Sequence, residues 1–206
     1  MTLCECGCGR QVPEQSGRGR RRRYVDASCR SRASRAGAAP MPAEMKDAGR
    51  WLRWKRVTRG DGTTKRPVTT DGKPASSTDH ATWSTFEQAR RSAAGDGMGF
   101  ALGDGFACID LDHCYDGQGH LKDWAKMILA PVEGRTYIEI SPGGDGLHIW
   151  GTAPERTGIK VRNELGMNIE AYSQGRYMTC TGRTWRKSPQ RLTDLTYLFD
   201  VIARLA

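Results

Sequence analysis

Seven residues, Phe106-Ala107-Cys108-Ile109-Asp110-Leu111-Asp112, constrain this chain more than any other stretch. As a strand they alternate between faces, so Ala107, Ile109 and Leu111 point one way and Cys108, Asp110 and Asp112 the other. One face suits a core; the other carries two carboxylates. Burying either unpaired is costly, and two at close range repel unless a cation lies between them. Hard oxygen donors on same-face positions suit Mg²⁺ or Mn²⁺, which takes one or two carboxylates and completes its shell with water and substrate phosphates. A strand running into an acidic turn capped by Asp112 would need no metal, and only the downstream segments separate the two cases.

The 206 residues suffice for one sizeable core plus a small appendage. The net charge of +9 is unevenly placed, because residues 1–40 hold nine Arg and three acids while the other 23 basic and 20 acidic residues nearly balance. A basic arm on a mildly basic body favours a polyanionic partner, nucleic acid first. No apolar run approaches the roughly 18 residues that span a bilayer, and no signal-peptide hydrophobic region opens the chain, so no membrane partner and a cytoplasmic location are expected. In that reducing setting Cys4, Cys6, Cys8 and Cys29 read as thiolate ligands for a structural Zn²⁺ rather than as disulfides. Their CxCxC spacing crowds three thiols together and leaves Cys29 beyond a Gly- and Arg-rich loop; unstructured or redox-labile thiols are the alternative. The expected organisation is a basic Cys-rich module over residues 1–35, a linker over 36–46 and a main domain over 47–206.

Within the main domain, Trp51 to Val57 and a second run to Val68 predict a hairpin, with Lys65-Arg66-Pro67 placing cations beside a rigid turn. Ser84-Thr85-Phe86-Glu87 reads as a capping box opening a helix to about Ala94. Gly97 to Leu102 and Phe106 to Asp112 read as strands joined at Gly103-Asp104-Gly105, and Leu121 to Leu129 as a helix. Strands over Thr136 to Ile140 and Leu147 to Trp150 flank Ser141-Pro142-Gly143-Gly144-Asp145-Gly146, whose three glycines allow backbone N–H groups to converge on an anion. His148 lies on the opposite face from Leu147 and Ile149, apart from the carboxylate strand, and with Ser141 and the loop amides it makes phosphate-binding equipment. Met167 to Tyr172 alternates again and puts Glu170, a third carboxylate, on a polar face; Arg176 to Gly182 follows as a strand, and Thr193 to Leu205 as a packing helix.

In order, Ile109-Asp110-Leu111-Asp112, the Ser141 to His148 loop, and Ile169-Glu170 followed by Gly175-Arg176-Tyr177 and Thr181-Gly182 resemble the archaeo-eukaryotic primase superfamily. More narrowly, they resemble the primase-polymerase domain of phage and plasmid replication proteins, over roughly residues 50 to 185. The resemblance implies a mixed α+β primase-like core with a largely antiparallel sheet and flanking helices. It implies that Asp110, Asp112 and Glu170 hold two Mg²⁺ or Mn²⁺ ions with His148 beside them in catalysis. Ser141, Gly143, Gly144, His148, Arg176 and Lys65 would contact the nucleoside triphosphate. The implied function is a DNA-dependent primase/polymerase of phage or mobile-element replication, transferring nucleotides from (d)NTPs to a primer or an initiating nucleotide on single-stranded DNA. Because the chain ends soon after this core, a separately encoded helicase is the expected partner. The competing class is a non-catalytic nucleic-acid-binding replication accessory, while a metal-dependent nuclease would share the acids but leave the Ser141 to His148 loop without a use.

Overall fold

The computed structural model describes residues 2–3, 11–13, 22–29, 41–60, 62–164 and 166–206. The chain divides into two compact units, Met1–Pro40 and Met41–Ala206. In the smaller, β1 (Thr2–Leu3) pairs antiparallel with β2 (Gln11–Val12), and Val12 and Cys29 are buried with Tyr24 and Val25 against them. Cys4, Cys6 and Cys8 of the expected zinc set lie outside the described residues; the backbone N–H of Cys29 donates to Asp26 Oδ1 at 2.7 Å.

The larger unit starts inside the segment expected to be a linker. There α1 (Ala43–Asp47) buries Met45, whose carbonyl accepts the Trp51 indole N–H at 2.8 Å, and Met41 is buried as well. Two antiparallel sheets follow. The first has the order β11 (Tyr177–Cys180), β5 (Gly97–Ala101), β3 (Trp51–Arg59), β4 (Gly62–Val68). The second has the order β7 (Ile138–Ile140), β8 (Leu147–Thr152), β6 (Phe106–Leu111), β10 (Asn168–Tyr172), β9 (Ile159–Arg162).

The acidic strand β6 is the centre of the second sheet. Its Ala107, Ile109 and Leu111, with Ile149 and Ile169 beside them, face a core closed by α3 (Asp123–Leu129) and α4 (Thr196–Ala203) through Ile128, Leu129, Phe199 and Ile202. Each such side chain contributes about 1.5–3 kcal/mol on burial, so the apolar half of the alternation fixes which way the polar half must look. The polar face meets the first sheet at Phe100, which stands edge-on to Phe106 and Trp150 at ring separations of 5.0 and 5.9 Å. The fold is therefore the mixed α+β, antiparallel arrangement expected of a primase-like core.

Strands β5 and β6 are joined at Gly103-Asp104-Gly105 as expected and enter different sheets, while buried Arg50 donates to the carbonyls of Ala101 and Leu102 at 2.8 and 3.0 Å and stacks over Trp83. Two local expectations are corrected. The capping box lies one residue on, with Thr85 and Gln88 exchanging hydrogen bonds at the start of α2 (Phe86–Arg91), since the Ser84 hydroxyl is drawn to the Trp51 carbonyl. The strand β9 was absent from the sequence expectation altogether and forms one edge of the second sheet beside Glu170. Among the described residues no helix is long and apolar enough to cross a membrane.

Candidate active site

Register places five side chains in one row across the second sheet. Glu139 of β7 pairs with His148 of β8, His148 with Asp110 of β6, Asp110 with Glu170 of β10, and Glu170 with Lys160 of β9. Directly opposed residues hold their Cβ atoms about 4.5–5.5 Å apart, so the row is continuous. Asp112, in the turn after β6, donates its N–H to the Asn168 carbonyl at 2.9 Å, and its charge bears on Asp110.

Asp110 is the strained member. Its side chain is 17 % exposed, and Oδ1 is buried without a hydrogen-bond partner. Burial foremost, with the charges of Asp112 and Glu170, pushes its carboxyl up to about 6 against the opposing charges of His148 and Lys65. Lys65 reaches this point from β4 of the other sheet, with its ammonium 5.7 Å from the centre of the Trp54 ring. Glu170 has the opposite environment. Burial raises it, but Lys160 at 3.0 Å, the Tyr172 hydroxyl at 2.8 Å and Arg162 at 3.3 Å outweigh burial and hold it below the usual range.

The structure corrects the position expected for His148. The imidazole neither stands apart from the carboxylate strand nor faces solvent, for the whole residue is 2 % exposed and lies beside Asp110. Nε2 is 3.6 Å from Asp110 Oδ1, too long for a hydrogen bond, while Nδ1 is 3.1 Å from Glu139 Oε1, the distance of an N–H donated to a carboxylate. Burial lowers the basicity of His148, yet the Glu139 hydrogen bond and the charges of Asp110 and Glu139 outweigh it and leave the imidazole raised overall. Glu139 is itself fully buried. Its Oε2 accepts from the Tyr137 hydroxyl at 3.1 Å and from the N–H groups of Thr181 and Gly182 at 3.1 and 2.8 Å. The Thr181 hydroxyl proton goes to the Ile140 carbonyl at 2.7 Å.

The glycine loop is pinned to the end of β6. A Cβ on Gly146 would lie 2.8 Å from the Leu111 carbonyl, so only glycine permits that approach, and Gly144 at φ +92° turns the chain. Cys114 donates its N–H to the Asp145 carbonyl at 3.0 Å, tying the loop to the segment after Asp112. The N–H of Gly144, expected among the donors to an anion, instead closes the turn on Ser141 O at 3.1 Å; Ser141 is buried and its N–H bonds Gly146 O. Arg183 donates to the Ser141 carbonyl. Arg176 is exposed, its guanidinium 5.3 Å from the centre of the Tyr172 ring.

Glu139, Lys160, Arg162 and Arg183 were not singled out from sequence. The signal for Glu139 was present, as an acid two residues from Tyr137 on the same face of a strand preceding His148. For the other three nothing local marked them.

The donors here are hard oxygens, and the orphaned Asp110 Oδ1 beside Asp112 is suited to a divalent cation. Among the described residues, however, no three His, Cys, Asp or Glu side chains close around a single point, and Glu170 is turned to its cations.

Against known proteins, the chain is 38 % identical over 144 residues to the DNA primase-polymerase of Nitratiruptor phage NrS-1; the match covers 66 % of this chain but 19 % of the phage protein, so the chain spans about a fifth of that relative. Residues 50–196 match the family described as bifunctional DNA primase/polymerase, N-terminal, and they take in every member of the sheet row, the glycine loop and Lys65. The chain belongs to the bifunctional DNA primase/polymerase (Prim-Pol) family.

Proposed function

We propose that the chain is a DNA-dependent nucleotidyltransferase core that adds nucleotides from (d)NTPs to a primer or an initiating nucleotide on a single-stranded DNA template, in phage or mobile-element replication. The observation that carries this reading is the unpartnered, buried Asp110 Oδ1 at the centre of the row, flanked by Asp112, Glu170 and His148. Asp110 and Asp112 would hold Mg²⁺ or Mn²⁺, with Glu170 joining once it leaves Lys160 and Arg162. Bound there, divalent ions supply activation of a 3′-hydroxyl and stabilisation of the pyrophosphate leaving group.

The remaining work falls to the chain's own groups. Lys65 brings positive charge toward the triphosphate from the opposite sheet. The buried imidazole of His148, held by Glu139, presents Nε2 beside Asp110 and donates to a phosphate oxygen there, a charge-assisted contact in a site from which water is largely shut out. The glycine loop fixes the height of that imidazole by fixing the start of β8.

A non-catalytic, nucleic-acid-binding accessory is favoured by one observation, the engagement of Glu170 by two cations and a phenol. Nucleotide binding measured with and without Mn²⁺ separates the two. Catalysis expects Mn²⁺ to tighten dNTP binding in the native chain and not in Asp110→Asn, whereas equal affinity with and without Mn²⁺ in both proteins would favour the accessory.

A further inference from the structure

Past Trp54 the strand β3 leaves its own sheet. Its pairing with β5 ends at Trp54 opposite Gly97, whereas its pairing with β4 continues to Arg59 opposite Gly62. Residues 55–60 and 62–66 are thus a two-stranded arm, with no third strand beside it among the described residues.

On that arm the register sets like charges against each other. Lys55 pairs with Arg66, and the next position pairs Arg56 with Lys65. Successive positions alternate, so each face of the ribbon bears a cation pair, the Arg56/Lys65 pair on the face shared with Trp54. Like charges directly opposed across two strands destabilise the pairing. All four side chains are exposed, and none forms an ion pair with a described residue. Several other exposed cations of the same unit do, Lys73 with Asp71, Arg90 with Glu87 and Lys126 with Asp123, although Arg135, Lys187 and Arg204 are likewise exposed outside any ion pair among the described residues. Beside the arm, the Asp96 carboxylate accepts the Arg56 backbone N–H at 2.6 Å and bears its charge on Arg53. A hollow of about 450 Å³ runs along the Lys55/Arg66 side, floored by Val57 and Val68.

We infer that this arm grips the phosphodiester backbone of single-stranded DNA. A polyanion relieves both cross-strand repulsions at once, and a single small anion would relieve one. The choice of DNA among polyanions rests on the function proposed above.

The test uses the full chain and a fluorescein-labelled, mixed-sequence single-stranded 30-mer, with anisotropy read between about 50 and 200 mM KCl. Neutralising Lys55→Gln, Arg56→Gln and Arg66→Gln together should weaken binding by about tenfold to hundredfold and flatten the salt slope by about 2, since each phosphate neutralised on a single strand adds roughly 0.7 to it. A control carrying Lys73→Gln, Arg90→Gln and Arg91→Gln removes the same charge from paired surface cations and should change the slope by less than half as much. Equal effects of the two triple variants, or none from the arm variant, would overturn the assignment. Should the arm variant fail to fold, hydrogen exchange of the native chain decides instead: amides of residues 55–66 should slow on adding the 30-mer, and unchanged exchange there would overturn it. Native chain that binds the 30-mer through the arm but never extends a primer would refute the proposed function and leave the arm standing.

Discussion

Asp110 carries the electrostatic cost of the site, and that cost depends on pH. An ordinary aspartate titrates near 4, and this one is pushed up to about 6, so the folded state holds its proton more tightly than the unfolded chain. Stability is therefore undiminished below about pH 4 and falls as pH rises through about 6, by about 3 kcal/mol for a shift of about two pH units. In EDTA, Asp110→Asn should be more stable than the native chain at pH 8 by up to that amount and no more stable at pH 4, as read by urea denaturation; equal stabilities at both pH values would remove the strain. Glu139→Gln is expected to slow nucleotide addition about tenfold to hundredfold, because an amide cannot accept both from His148 and from the donors gathered on Oε2. In a His148→Ala background the same change should cost much less, and an undiminished second loss would mean that Glu139 acts elsewhere. That Asp110, Glu170 and His148 share a face was legible because strand alternation alone sorts them there. The burial of His148 was not, since the covering carboxylate is held by Thr181 and Gly182, some forty positions downstream of it.

At the level of elements, β9 decides the state of Glu170. Lys160 and Arg162 are half or more exposed, so each pair with Glu170 is a partly screened interaction worth up to about 1 kcal/mol. If Glu170 is a ligand, these cations compete with the metal, and Lys160→Gln with Arg162→Gln should tighten Mn²⁺ binding by about fivefold. Weaker Mn²⁺ binding in titration calorimetry would instead remove Glu170 from the ligand set. The hairpin of β3 and β4, the glycine turn and the helices were readable from alternation, turn residues and apolar spacing. The strand β9 was not, being four residues between Gly158 and a turn, with an edge position and a pattern of alternating apolar residues and cations that also suits a solvated loop. Nor was the parting of β5 from β6, beside which Arg50 reaches across from some fifty residues earlier.

For the molecule as a whole, the basic N-terminal unit and the family core are separate compact units, and they call for separate tests. The zinc proposal rests on Cys4, Cys6, Cys8 and Cys29: metal analysis should find about one zinc per chain, lost in Cys29→Ser, because tetrahedral structural sites take four ligands. Zinc retained at full stoichiometry in that variant would contradict the ligand set. The row through Asp110 is proposed to perform nucleotidyl transfer. The most direct test is incubation of the full chain with a primed single-stranded DNA template, labelled dNTPs and Mg²⁺ or Mn²⁺, with products resolved by gel. Primer extension that requires the metal and disappears in Asp110→Asn is the expected result; template binding with no extension under either metal, or extension undiminished in Asp110→Asn, would contradict it.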